Sequence, residues 1–384
     1  MADRWDVAVI GGGVIGVSVA RELARAGVER VVVLEHEAAV GQGSSERANG
    51  GFRAQFTTPI NITFSLYSVG VLENLERTSG GTVGLHQTGY LLLTGTEAGE
   101  TNLRAACELQ RSLGVETEWL DSDEAATRAP VIGTDGLRAA TFHHRDGFLD
   151  PHGVVAAMKE DAQRRGVAIH TRSEVVGIEE RADKLVVRTD GAALDAEWVV
   201  NAAGSHARSV AALLGVEIPV EPVRRNLAFI PHPGDGELIP MCVDLDTGVL
   251  VRREVGGGFV VAYSNPDDAP GWDTSVDPNF LGDVAERIGN RFPSLASIPI
   301  DPKHCWAGLY PETPDHHAII GPSPGHGRFI QCIGFGGHGI MHSPAAGKAV
   351  AELVTAGACT TFDLHPLRVE RFAEGDLVVE TAVL

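Results

Sequence analysis

Cysteine is scarce in this chain. The five cysteines among its 384 residues (Cys107, Cys242, Cys305, Cys332 and Cys359) are widely spaced and odd in number. No CxxC pair occurs, so neither a zinc site nor a disulfide framework is indicated, and no metal is expected. Basic residues are outnumbered, 31 against 51 acidic ones, for a net charge of −20. They form no cluster, which argues against a nucleic-acid surface. No apolar run is long enough to cross a bilayer. No internal repeat or low-complexity tract appears. The first residues pass almost directly into an apolar strand, leaving no room for a signal peptide, so the expected compartment is the cytoplasm. With 43% hydrophobic and 21% charged residues the composition is that of a soluble globular protein with a sizeable core.

Glycine is plentiful, and its placement carries the signal. An apolar strand (Asp6 to Ile10) runs into Gly11-Gly12-Gly13-Val14-Ile15-Gly16, then a helix, a second strand (Arg30 to Leu34) and Glu35-His36. A dinucleotide-binding βαβ unit requires this order. Gly11 permits the turn, Gly13 lets the backbone approach a pyrophosphate, and Gly16 lets the helix pack on the sheet. The helix start offers N–H groups and partial positive charge to phosphates. Glu35 stands where a carboxylate accepts hydrogen bonds from a ribose.

Three further segments point to the same ligand. Val199-Val200-Asn201-Ala202-Ala203-Gly204 is a strand running into small residues that allow a flat ring to approach. Gly334-Phe335-Gly336-Gly337-His338-Gly339-Ile340 lies between a strand and a helix, where backbone N–H groups can stabilise the negative charge of a reduced flavin. Gly43-Ser44-Ser45-Glu46-Arg47, with Asn49-Gly50-Gly51-Phe52-Arg53, offers hydroxyls to phosphate oxygens and glycine backbone to a ring. Arg47 and Arg53 need anionic partners if buried, either a cofactor phosphate or a substrate carboxylate.

Periodicity and punctuation predict helices over Val14–Ala26, from Pro59 through Thr78, over Glu97–Leu113, from Pro151 to before Gly166, and over Asn279–Arg291 and Pro344–Thr355. Strands are predicted at 89–93, 167–170, 174–179, 185–189, 198–201, 223–230, 248–252, 259–263 and 328–333. The chain starts α/β, turns β-rich and ends α/β. The expected fold is α/β, with a discontinuous Rossmann-type cofactor domain (1–85, 140–215, 318–384) and an inserted antiparallel-sheet α+β substrate domain (86–139, 216–317).

Together, VAVIGGGVIG with Glu35, SSER…GGFRAQF, DGFLDP (Asp146 to Pro151), VVNAAG, WAGLYPETPD (Trp306 to Asp315) and GFGGHGI resemble the D-amino-acid oxidase superfamily of FAD enzymes. The branch most alike contains glycine oxidase, sarcosine oxidase and the β subunits of sarcosine oxidase and dye-linked proline dehydrogenase. The resemblance implies FAD and oxidation of an amino acid's C–N bond. The expected substrate is glycine or an N-substituted glycine, with O2 as acceptor. Two alternatives are a β-type dehydrogenase subunit passing electrons to a partner and a D-amino-acid oxidase or dehydrogenase. Both a homo-oligomer and a partner subunit fit. By the same analogy Val175 contacts the adenine, Gly336 to Ile340 face the flavin pyrimidine edge, and Arg53 holds the substrate carboxylate.

Arg252 is a reserve anchor on a strand, Tyr310 a second bond to the carboxylate, and His338 a group that tunes flavin or amine. The flavin-bearing cysteine of monomeric sarcosine oxidases is matched by Gly308, and Cys305 does not replace it, so noncovalent FAD is expected. Their lysine after GHG-aromatic is matched by Met341, and the oxygen-activating lysine of their β-rich domain by Val260. Met341 with Ile340 therefore predicts an apolar pocket for a bulky N-substituent.

Overall fold

The computed structural model describes residues 3–232 and 236–380. The first strand, Asp3–Ile10, lies inside a sheet with parallel neighbours on both sides. The parallel strands run in the order His326–Ile333, Ala193–Asn201, Asp3–Ile10, Val31–Leu34, Ala168–His170. Ile319–Ser323 adds an antiparallel edge, and Val175–Arg181 and Lys184–Thr189 extend Ala193–Asn201 as an antiparallel meander. Both faces are covered, so the central strands read as continuous apolar runs rather than alternating ones. Val7, Val9, Val31 and Val33 point to one face, and Ala8, Ile10, Val32 and Leu34 to the other.

The first face carries two helices, Val14–Arg25 and Gly339–Ala356, drawn from opposite ends of the chain. They meet at backbone distance. Ser18 Oγ donates to the Ser343 carbonyl at 2.7 Å, and a Cβ on Gly347 would stand 2.7 Å from the Ser18 carbonyl oxygen. Ala345, Ala346 and Ala349 keep the rest of the contact thin. The later helix starts five residues before the expected Pro344. That proline has no N–H for the Ile340 carbonyl, and Ser343 Oγ supplies the missing donor at 3.0 Å, so the helix continues through it.

The second sheet is mixed. Its order is Cys305–Glu312, Glu221–Ile230, Phe259–Tyr263, Val249–Arg253, Met241–Asp244, Tyr90–Thr94, Ala139–His143, Glu118–Leu120. All its neighbours are antiparallel except Met241–Asp244 with Tyr90–Thr94. The expected domain boundary at 140 falls inside its strand Ala139–His143. Met241–Asp244 is buried on both faces and short, so no periodicity announced it. A separate two-stranded ribbon pairs Gly51–Phe52 with Gly147–Phe148. Among the described residues no helix is long and apolar enough to cross a membrane.

The helix contact yields a test. Gly347→Val must push the two helices apart, and overpacking of this kind costs about 1–3 kcal/mol. Urea unfolding of the variant is expected to show that loss together with a lower flavin content.

Candidate active site

A cavity of about 500 Å³ opens at the carboxyl ends of the parallel strands. Its first wall is the initial glycine turn. Gly11 adopts φ +104° and donates to Leu34 O at 2.9 Å. A Cβ there would stand 2.5 Å from the Ala202 carbonyl oxygen, and one on Gly16 would overlap the Gly11 carbonyl. Gly13 differs from both. A Cβ on it would meet only Ser45 Oγ, at 3.5 Å, and would otherwise project into the cavity. The protein thus fills the space beside Gly11 and Gly16 and leaves that beside Gly13 for a ligand.

Glu35 is buried on the same wall. Its Oε2 accepts from Gly12 N at 2.6 Å and its Oε1 from Glu37 N at 2.7 Å, with His36 Nδ1 3.0 Å away. Each carboxylate oxygen keeps a further lone pair. Val14, Ile15, His36, Val175, Ala202, Ala203 and Gly204 also line this end.

The loop Gly43–Gly51 forms the second wall. Ser45 Oγ accepts from Val14 N at 3.0 Å, which places its hydroxyl at the helix start. Ser44 and Arg47 line this wall and also bond the second sheet. Ser44 Oγ donates to Leu309 O at 2.5 Å, Arg47 Nη1 to Ala307 O at 2.8 Å, and Trp306 Nε1 to Arg47 O at 3.0 Å. These bonds fasten the cofactor loop to the second sheet. Gly308 is off the wall because Arg47 lies over it; a Cβ there would sit 3.0 Å from the Arg47 Cβ. Asn49, Gly50 and Gly51 remain on the wall.

The third wall is Gly334, Gly336, Gly337, Gly339 and Ile340, faced by Tyr310. The Tyr310 ring is so close to Gly337 that a Cβ there would stand 2.8 Å from its Cε2. Burial raises the Tyr310 hydroxyl above its ordinary range, so it stays a neutral donor.

His338 and Met341 are not on the wall. Met341 packs with Phe52, Phe56 and Ile62, so the pocket-shaping role expected of it fails and only Ile340 contributes there. His338 packs edge-on against Phe56 at 5.0 Å and lies 5.6 Å from His342. Burial first, then neighbouring positive charge that includes Arg53, holds both imidazoles well below their ordinary range.

Arg53 lies behind Gly51 and is 2% exposed. It donates to Gln55 O at 2.5 Å and lies 4.1 Å over the Phe56 ring. Burial lowers its pKa against the opposing fields of Glu380, Tyr90 and Asp146. Asp146 accepts from Ala54 N at 2.8 Å and Gln55 Nε2 at 3.0 Å. Burial outweighs these bonds and pushes its carboxyl up to about 7.

Register places two more residues near this group. Cross-strand partners put Tyr90, Met241, Arg252 and Val260 in one row on one face of the second sheet. Arg252 lies 4.7 Å over Phe148, pairs with Glu254, and has a buried Nε without a partner. Tyr90 crowds the position a Gly51 Cβ would take. Tyr90 carries no motif in the sequence, and only the pairing of distant strands reveals it. Also unforeseen on the wall are His206, Thr274 and Cys332.

A family model described as DAO, FAD dependent oxidoreductase, matches residues 6–353, and the chain belongs to that family. It is 29% identical to a Xenopus laevis protein described as FAD-dependent oxidoreductase domain-containing protein 1, over all of this chain and 85% of the relative. The L-proline dehydrogenase structure from P. horikoshii superposes with a TM-score of 0.92 at 28% identity, covering 98% of this chain and 100% of that one. Glycine oxidase from Geobacillus kaustophilus superposes at 0.84 with 27% identity, covering 96% and 99%. The cofactor is FAD, and the open side of Gly13, the Glu35 carboxylate and the facing glycine walls fit it.

Two outcomes follow from this geometry. Gly13→Ala should leave urea stability within about 1 kcal/mol of the parent while the purified protein loses flavin, whereas Gly16→Ala should lose both. Asp146 has a raised folded pKa, so its contribution to stability is complete below the ordinary carboxyl range near 4 and declines as pH rises to about 7. Asp146→Asn, which removes the titrating group, should flatten that decline in urea titrations from pH 4 to 8.

Proposed function

We propose that this member of the FAD-dependent oxidoreductase family oxidises the C–N bond of glycine or an N-substituted glycine. The observation that carries the reading is the far end of the cavity, where Tyr310 meets the second glycine loop, with Arg53 and Arg252 buried just off the wall on either side of Tyr90. The likeness to a glycine oxidase and an L-proline dehydrogenase supports it, since both names denote oxidation of an amine α to a carboxylate.

Bound FAD would supply the redox chemistry, acceptance of a hydride from the α-carbon and delivery of the two electrons to O2 as H2O2. The chain's residues bind and aim the substrate. Arg53 holds the carboxylate, since a guanidinium meets it in a two-pronged fit. Arg252 is the second candidate, by virtue of its unpartnered Nε. The Tyr310 hydroxyl adds a hydrogen bond to the same group. His338, neutral and off the wall, leaves the tuning of the amine to the groups that do line the cavity. The amine must be neutral, because its lone pair drives hydride departure. Backbone N–H groups of Gly336 to Gly339 stabilise negative charge developing at the cavity wall. Ile340 excludes water there. The product imine leaves and hydrolyses.

FAD is held noncovalently in this reading. Gly308 offers no nucleophile. Cys305 is off the wall, and burial raises its thiol, so little thiolate is available.

A second reading is a catalytic dehydrogenase subunit whose electrons leave through a partner protein. The 0.92 TM-score to the L-proline dehydrogenase favours it.

Anaerobic mixing with glycine, N-alkyl glycines, proline and D-amino acids tests the substrate. Bleaching by glycine or an N-alkyl glycine is the expected result, and bleaching by none of the amines would overturn the reading. Peroxide on readmission of air marks an oxidase; its absence marks the partner-dependent enzyme. Arg53→Lys should lower kcat/KM about 10- to 100-fold with the bound-flavin spectrum retained.

A further inference from the structure

Trp272 has no evident structural use. It is 52% exposed, in a chain with five tryptophans, and belongs to none of the hydrophobic clusters. Among the described residues its one ring contact is with His206, at 4.6 Å and a 35° tilt. His206 in turn meets His36 edge-on at 5.1 Å. Both histidines line the end of the cavity that holds Glu35 and Val175, as does Thr274, two residues beyond the tryptophan. Glu35 marks that end as the ribose end of a dinucleotide site.

The loop that carries Trp272 comes from the other side of the molecule and is held firmly. Gly271 N donates to Pro222 O at 2.8 Å. Arg224 binds Asp273 at 2.9 Å, Asp277 at 2.6 Å and the Ser275 carbonyl at 3.3 Å. Pro222 and Arg224 belong to the second-sheet strand Glu221–Ile230, whose Val223 is paired with Tyr310. A braced loop from the second sheet therefore lays an exposed indole on a cavity-lining side chain of the cofactor sheet.

We propose that Trp272, acting through His206, is a positioning residue that closes the adenosine end of the FAD site. The second sheet then binds the cofactor at two separated places, through Tyr310 beside the second glycine loop and through the Trp272 loop at the ribose end. Release of FAD requires the His206–Trp272 contact to open. Because the contact joins elements distant in sequence, it resists cofactor loss without adding a bond to the phosphates.

An aromatic pair of this kind contributes about 0.5–1.5 kcal/mol, up to about a tenfold change in an equilibrium or rate. The flavin-loaded protein is diluted and free FAD is followed by its fluorescence. Trp272→Ala should release FAD roughly three- to tenfold faster, and Trp272→Phe should stay within twofold of the parent. With excess FAD present, the urea midpoint of Trp272→Ala should match the parent. Release less than threefold faster in Trp272→Ala would overturn the proposal. So would equal acceleration in the phenylalanine variant, or a shifted urea midpoint with excess FAD, which would mark a general loosening. Arg224→Gln, which frees the loop but keeps the indole, should also speed release, and an unchanged rate would count against the brace.

Discussion

The backbone contact between helices Val14–Arg25 and Gly339–Ala356 is the constraint on which the site depends. Each helix begins at a glycine loop, and each loop forms one wall of the cavity. The distance between the walls is set where Gly347 lies on the Ser18 backbone, not within the loops. Interiors pack like crystals, so a side chain at this crossing must be absorbed by moving a whole helix. The small residues there therefore serve the ligand as much as the core. They also explain how segments more than 300 residues apart in the chain act as one binding surface.

Behind the third wall lies an unusually polar interior. Arg53, Asp146, Gln55, His338 and His342 are all buried. Most of this group is satisfied internally. Gln55 O and the Phe56 ring hold Arg53, while Ala54 N and Gln55 Nε2 hold Asp146. The histidines stay neutral because burial and Arg53 both oppose their protonation. Arg53 and Glu380 set opposing fields in this interior, where burial keeps the histidines neutral. In such surroundings a guanidinium acts strongly on an approaching anion, since little water screens it.

Local spacing made the cofactor half legible. Gly11, Gly13, Gly16 and Glu35 are read from a stretch of sequence in which strand, turn and helix follow each other without interruption. Helix Pro59–Thr78 was likewise announced by Thr58-Pro59 at its start. The other half depends on pairing between distant strands. Nothing near Tyr90 or Arg252 in sequence says that both stand in one row with Met241, because that row exists only in the sheet register. Ser44 and Arg47 were legible as loop residues. Their partners, the Leu309 and Ala307 carbonyls, are backbone atoms some 260 residues away, and a sequence pattern does not encode such acceptors.

The segment Gly334 to Met341 shows why a motif can be right as a whole and divided in its parts. Read as a string, every residue of it borders the ligand. Once the helix starts at Gly339, its geometry separates them. His338, Met341 and His342 stand at i, i+3 and i+4, so they share one side of the helix start, and that side meets Phe56. Gly339 and Ile340 fall on the other side and remain on the wall. The side of the cavity that faces this loop is supplied by the second sheet, through Tyr310. Tyr310 stands against Gly337 and Tyr90 against Gly51, so each of these side chains packs on a loop of the cavity wall. The cavity is thus bounded by glycine backbone on one side and by second-sheet side chains on the other, and a larger side chain at either sheet position would have to be absorbed by the glycine it touches.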